Sequence, residues 1–212
     1  MHAQREAIPP GSTIAILGGG HMGRLTALAA KALGYRVHVL ECDPSTTSEG
    51  IADRSVPGRL NDLGAVAAVA RDAHVVTTSV EQIPVFSLEA AAMFAPVRPG
   101  IDAIGIAQER ELERRWLEER GVRVGPWRAA DTRDDVIAAV TELAAPCYLK
   151  PRIRRDGDLG PILVSAPAEV AAAWIALRGR RAWSNASCRW TWSCRCSSRG
   201  PRAAKSGPIR RR

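Results

Sequence analysis

Six residues in one short span could bind a charged ligand: Gly18, Gly19, Gly20, His21, Met22 and Gly23, directly after the apolar run Thr13–Leu17. Gly18, Gly20 and Gly23 satisfy G-x-G-x-x-G. In that arrangement a strand turns tightly into a helix and leaves backbone N–H groups facing an anion, where the helix dipole favours negative charge. Glu41 closes the next apolar run, the place where a dinucleotide-binding protein sets a carboxylate on ribose hydroxyls. Taken alone, the pair points to NAD or FAD, with a purely structural glycine turn as the alternative. His21 could touch a ligand phosphate or carboxylate, or be an ordinary solvated loop histidine. Glu81 follows the run Val75–Val80; the carboxyl ends of parallel strands line a ligand crevice, so it faces either a substrate or solvent. Lys150 ends Ala145–Lys150 and could reach a nucleotide phosphate as a point charge. The five cysteines have no zinc-type spacing, and no metal ligand is assigned.

These residues need a scaffold of alternating strands and helices. Short β-branched runs at Thr13–Leu17, Arg36–Leu40, His74–Thr78 and Tyr148–Lys150 read as strands, with weaker ones near Arg123–Arg128 and Ile162–Ser165. Helical periodicity covers Met22–Leu33, Leu63–Arg71, Leu88–Phe94, Gln108–Arg120, Thr132–Leu143 and Pro167–Leu177. Gly34 supplies the left-handed stop to the first helix. In the helix predicted over Gln108–Arg120, Leu112, Trp116 and Leu117 form one face, with Glu111 and Arg115 paired on the surface. The alternation specifies an α/β fold with a parallel sheet. Pro96, Pro99 and Gly100 interrupt it, which places a boundary near residues 97–100 and gives a first domain over 1–96 and the start of a second over 97–180.

The 212 residues carry a net charge of +8, but unevenly. Nine of the 30 basic residues and none of the 22 acidic ones fall in residues 181–212, so the rest of the chain is near neutral. That segment also holds three of the six Trp and three of the five Cys, with no Val or Leu. GC-rich coding DNA read in a wrong frame gives this composition. Residues 181–212 are therefore expected to be a disordered, out-of-frame basic tail. No apolar run approaches a membrane span and the first residues lack a signal core, so the expectation is a cytoplasmic protein without a membrane partner.

Four segments in order resemble one family, the 5-(carboxyamino)imidazole ribonucleotide synthases, ATP-grasp ligases of purine biosynthesis. ILGGGHMGRLTALAAKALGYRVHVLECDP (Ile16–Pro44) resembles the family's ILGGGQLGRM opening, with His21 for Gln. VVTTSVEQIP (Val75–Pro84) is similar to VVTYEFENVP, keeping Glu81. IGIAQERELERRWLEERGVRVGPW (Ile104–Trp127) resembles QDRLxEKxFLxxxGIPVAPF, and CYLKPR (Cys147–Arg152) the strand before the nucleotide loop. The loop itself departs: Arg152–Pro161 lacks the double glycine, tyrosine and following basic residue of R-x-G-G-Y-D-G-K/R-G-Q.

The resemblance implies a pre-ATP-grasp domain of the biotin carboxylase amino-terminal type, followed by the first part of an ATP-grasp domain. It implies that ATP activates bicarbonate as carboxyphosphate, which the amine of aminoimidazole ribonucleotide attacks. Arg110 and Lys150 would contact ATP, while Gly18, Gly19, Gly20, His21, Gly23 and Glu81 would face the ribonucleotide. Mg2+ would be held by residues of the family's later segments, and the assembly would be a homodimer. Because the resemblance stops near residue 180, it implies an incomplete form without turnover. A small NAD(P)-dependent oxidoreductase and a basic-tailed nucleic-acid-binding protein are the alternatives; the resemblance involves no NAD and no specific nucleic acid.

Overall fold

The computed structural model describes residues 7–43, 48, 50–143, 146–153, 160–178 and 182–186. Its first layer is a parallel sheet made by β1 (Thr13–Leu17), β2 (Arg36–Glu41), β3 (Arg54–Pro57) and β4 (Val75–Thr78) in the order β3-β2-β1-β4. The registers Thr13↔Arg36 and Ile14↔Val75 bring the carboxyl ends of β1, β2 and β4 to one edge. Both faces are buried. Ala15, Leu17, Leu40 and Val76 pack against α2 (Leu63–Ala70) and α3 (Val85–Ala92) through Val66, Val69, Leu88 and Ala91. Ile16, Val37 and Val39 point the other way, onto Ala27 and Ala30 of α1 (His21–Ala32). Continuous apolar runs follow from covering both faces of a parallel sheet.

Gly34, at φ +84°, ends α1 as expected. The strand at β3 was not anticipated: Arg-Ser-Val-Pro carries one apolar side chain and is placed by pairing with β2. A helix, α4 (Ile101–Gln108), stands immediately after the Pro/Gly interruption, and Ile104 joins the first core. The helix expected over Gln108–Arg120 therefore begins two residues later, and Gln108 closes α4 instead. Glu109 leaves helical geometry at φ −116°, ψ 116°, bridging to Ile153, before α5 (Arg110–Glu119) begins. The apolar face read on that helix is not buried: α5 has no buried residue, and Leu112 and Trp116 are exposed.

The second sheet is antiparallel, ordered β5-β8-β6-β7 from β5 (Trp127–Ala130), β6 (Cys147–Pro151), β7 (Ile162–Val164) and β8 (Ala182–Ala186). One face holds Cys147, Leu149, Val164 and Ala182, packed against Val136 and Val140 of α6 (Arg133–Glu142) and Val170 and Ala173 of α7 (Val170–Ala176). Thr132 and Asp135 close a capping box at the start of α6. Ala182–Ala186 lies inside the span expected to be a disordered tail, yet occupies an inner position of this sheet. The rest of that span, residues 187–212, lies outside the described residues. No helix among the described residues is long and apolar enough to cross a membrane.

Candidate ribonucleotide and phosphate site

At the carboxyl edge of the parallel sheet, β1 runs into the glycine turn. Gly18 takes φ +104°, and a Cβ on it would strike the Val80 and Ser79 side chains. A Cβ on Gly23 would collide with the Gly18 carbonyl, and one on Gly19 with the Glu41 carboxylate. Only Gly20 faces open space, and it caps α1 without a side-chain hydrogen bond. Packing alone therefore requires three of the four glycines. Glu41 is also committed internally: the backbone N–H of buried Ser48 donates to its Oε1 at 2.7 Å, and the Ser48 hydroxyl donates to the same oxygen. Its Oε2 is buried, with no hydrogen-bond partner among the described residues. Sealed beside Gly19, Glu41 is not the exposed carboxylate that a dinucleotide ribose needs, which removes the basis of the NAD reading.

The segment after β4 is held by its own hydroxyls. Thr78 Oγ1 donates to the carbonyl of Leu17 or Val80 and accepts from Val80 N–H; Ser79 Oγ donates to the Gly18 carbonyl at 2.6 Å. Gln108, at the end of α4, donates from Nε2 to the carbonyls of Glu81 (2.9 Å) and Ile83 (2.7 Å). Glu81 is thus presented on a braced loop. The loop opens into a cavity of about 1000 Å³, bounded by Met22 and Thr26 of α1, by Thr78–Gln82, and by Ala107, Arg110 and Ile153. The cavity brings Glu81 and Arg110 together. His21 is exposed at the start of α1 and, like the four glycines, is not among the lining residues.

Arg110 sits where α5 meets the end of β6. Its N–H donates to the Arg152 carbonyl at 3.0 Å and its Nε to the Pro151 carbonyl at 3.2 Å. Alternation along β6 buries Cys147, Leu149 and Pro151, and leaves Tyr148 and Lys150 on the other face, with the Lys150 ammonium 6.0 Å from the Tyr148 ring centre. Partial burial, then the charges of Arg110 and Arg114, push the Lys150 ammonium below the usual lysine range. An ammonium disfavoured by two nearby guanidinium charges marks a surface that a polyanion would stabilise. A triphosphate fits this donor set. Magnesium has no comparable site: no group of three or more His, Cys, Asp or Glu placed to hold a metal occurs among the described residues. The loop residues 154–159, where the sequence departs from the family pattern, lie outside the described residues.

Gln108 and Arg152 are the residues that sequence reasoning did not single out. Gln108 opens the QER segment, and Arg152 ends CYLKPR.

The family model of the ribonucleotide synthetase preATP-grasp domain matches residues 12–108. The chain is 36% identical over 153 residues to N5-carboxyaminoimidazole ribonucleotide synthase of Brucella melitensis, covering 72% of this chain and 42% of that protein. Over 179 residues it is 31% identical to the formate-dependent phosphoribosylglycinamide formyltransferase of Burkholderia vietnamiensis, covering 82% and 44%. Among solved structures, an ADP complex of N5-carboxyaminoimidazole ribonucleotide synthetase superposes with TM-score 0.79 at 28% identity, over 85% of this chain and 48% of that one. The Aspergillus clavatus synthase in complex with ADP and 5-aminoimidazole ribonucleotide gives 0.73 at 25% identity, over 82% and 46%.

Fold and matches define the class: a preATP-grasp domain of the ribonucleotide synthetase kind, followed by the first part of an ATP-grasp domain. Within that class the chain is similar to the N5-carboxyaminoimidazole ribonucleotide synthases. It spans less than half the length of the curated relatives it matches.

Proposed function

We propose that this chain serves the ATP-dependent carboxylation of aminoimidazole ribonucleotide with bicarbonate in purine biosynthesis, as a cytoplasmic homodimeric ligase of the ATP-grasp type. The observation that carries the reading is the single cavity shared by Glu81 and Arg110, with Lys150 close enough to Arg110 to feel its charge. Glu81 accepts a hydrogen bond from a ribose hydroxyl or amine of the ribonucleotide, next to the start of α1 where Gly18–Gly23 and His21 stand. Arg110 and Lys150 hold phosphate oxygens. ATP with Mg2+, when bound, supplies the phosphoryl group that activates bicarbonate; catalysis of this kind rests on positioning and on charge stabilisation. Mg2+ ligands belong to segments other than those described.

Binding tests the reading more directly than turnover, since the matched relatives are more than twice as long. Calorimetry on the 212-residue chain is expected to show ATP binding that Lys150→Ala weakens about tenfold, the value of one charge-assisted contact. Aminoimidazole ribonucleotide should bind, be weakened by Glu81→Gln, and be preferred to phosphoribosylglycinamide. Saturable micromolar NAD(P) binding, or no ribonucleotide binding at all, would overturn the proposal.

A further inference from the structure

Arg152 lies one residue beyond β6, and its side chain is only 19% exposed. Its guanidinium donates from Nε to Glu109 Oε1 at 3.1 Å and from Nη2 to the same oxygen, reaches Glu111 Oε2 at 2.9 Å, and donates from Nη1 to Asp131 Oδ1 at 3.2 Å. Glu109 is the non-helical residue between α4 and α5, Glu111 lies in the first turn of α5, and Asp131 directly follows β5. One arginine therefore joins three segments. Its own carbonyl accepts from Arg110 N–H, and the neighbouring Pro151 carbonyl accepts from Arg110 Nε.

From this geometry we infer that Arg152 is a positioning residue for the phosphate-binding cations. It fixes Arg110 against Lys150 and keeps Glu109, Glu111 and Asp131 engaged, so that these carboxylates do not pair with the cations meant for the ligand. A guanidinium suits the task because its planar fork serves several carboxylates at fixed angles. Arg152 is already paired with three acids and is not itself a phosphate ligand. The chemistry explains why the two cations sit on different elements yet converge: α5 brings Arg110 and β6 brings Lys150, and the segment between α4 and α5 is pinned to the end of β6 by the Glu109–Ile153 bridge and by Arg152.

The inference rests on the proposed phosphate role of Arg110 and Lys150, and two readouts on the full chain separate the two claims. The first is binding of inorganic triphosphate. Arg152→Gln should weaken it about tenfold, as loss of a supporting contact does at other ligand sites. Glu109→Gln should weaken it in the same direction, and the double variant should match Arg152→Gln within about twofold, because coupled partners are not additive. If Glu109→Gln binds as tightly as the parent or tighter while Arg152→Gln loses affinity, Arg152 is a direct phosphate ligand and the inference is wrong. Additive losses would also overturn it.

The second readout needs no ligand: the pH profile of Lys150 acetylation, followed by mass spectrometry. Deleting the Glu109 charge through space would lower the Lys150 pKa. Releasing Arg110 from its position would raise it, because Arg110 is one of the charges that hold the ammonium down. Glu109→Gln should therefore move the profile to higher pH, and Thr132→Ala, a cap variant of the same sheet region, should leave it in place. A shift to lower pH, or none, would overturn the inference. Equal triphosphate binding by the parent chain and Lys150→Ala would instead refute the phosphate role, leaving the acetylation profile to decide the positioning role on its own.

Discussion

The parallel and the antiparallel sheet divide the work of the molecule differently. The parallel sheet is covered on both faces, by α2 and α3 on one side and α1 on the other, so none of its faces is available to a ligand. What it offers is its carboxyl edge, where Gly18, Ser79 and Val80 are locked together and Glu81 is presented. The antiparallel sheet has one buried cluster, and Tyr148, Lys150 and Leu163 project from its other face. The first region offers loops on a rigid support; the second offers side chains carried on the strands themselves. A strand-borne cation is placed by the pleat, so its precision depends on correct pairing of every strand in the sheet.

That dependence makes β8 the most damaging place to strike. Ser184 pairs opposite Arg128 of β5 and Leu149 of β6, is fully buried, and donates from Oγ to Cys147 Sγ at 3.3 Å. Ser184→Pro removes a ladder hydrogen bond, strands a buried carbonyl and deletes the hydroxyl, for a loss on the order of 3 kcal/mol. Hydrogen exchange is expected to accelerate at Trp127–Ala130 and Cys147–Pro151, while Val37–Leu40 keeps its protection. Uniform loss across both sheets would show that the two regions are one cooperative unit. Unchanged exchange in β5 and β6 would show that β8 does not hold them.

The caps give a smaller and more even comparison. Asp62 Oδ1 accepts from Gly64 N–H and Ala65 N–H at the start of α2, and Thr132 does the same service for α6 by accepting from Asp135 N–H. Each change to Ala should cost about 1 kcal/mol in urea unfolding. If the parallel region is the more stable, Asp62→Ala will shift a later transition and Thr132→Ala an earlier one; coincident shifts would count against separate stabilities.

The same contrast decides what could be read from the chain. β1, β2 and β4 were legible because burial on both faces demands unbroken apolar runs such as TIAIL and RVHVL. β3 and β8 were not: Arg-Ser-Val-Pro is placed by its neighbour, and β8 turns Ala182 and Ser184, both small, into a core that other elements fill. Composition correctly marked residues 181–212 as unusual but could not show that five of them would complete a sheet. At the site, the turn at Gly18–Gly23 was legible as a turn, whereas its ligand was not, since the fate of Glu41 depends on Ser48 and the packing of Gly19. Arg110 came from the ordered resemblance of whole segments, and Lys150 both from that resemblance and from its place at the end of an apolar run. Gln108 and Arg152 act on partners 21 to 43 residues away, and no local spacing announces such pairs.

The smallest expected effect belongs to the parallel region and depends on pH. Asp53, just before β3, accepts from Val37 N–H at 2.7 Å and from the Lys31 ammonium at 2.6 Å, joining the ends of α1 and β2. The Lys31 hydrogen bond, with that of Val37, holds the Asp53 carboxyl below its usual range. A carboxylate with a depressed folded-state pKa stabilises the fold fully at pH values above its unfolded value of about 3.9, and loses that contribution as the pH falls through the folded value. Asp53→Asn should therefore be less stable than the parent at pH 7, and the difference should shrink as the pH drops below about 4. Both side chains are about one-third exposed, so solvent screening keeps the difference below about 1 kcal/mol and added salt should reduce it. Urea midpoints of the two proteins at pH 7, 4 and 3 check the sign. A gap that widens toward acid would mean that Asp53 is strained rather than stabilised by its partners. The lock between α1 and β2 would then rest on apolar packing of Ile16, Val37 and Val39 alone.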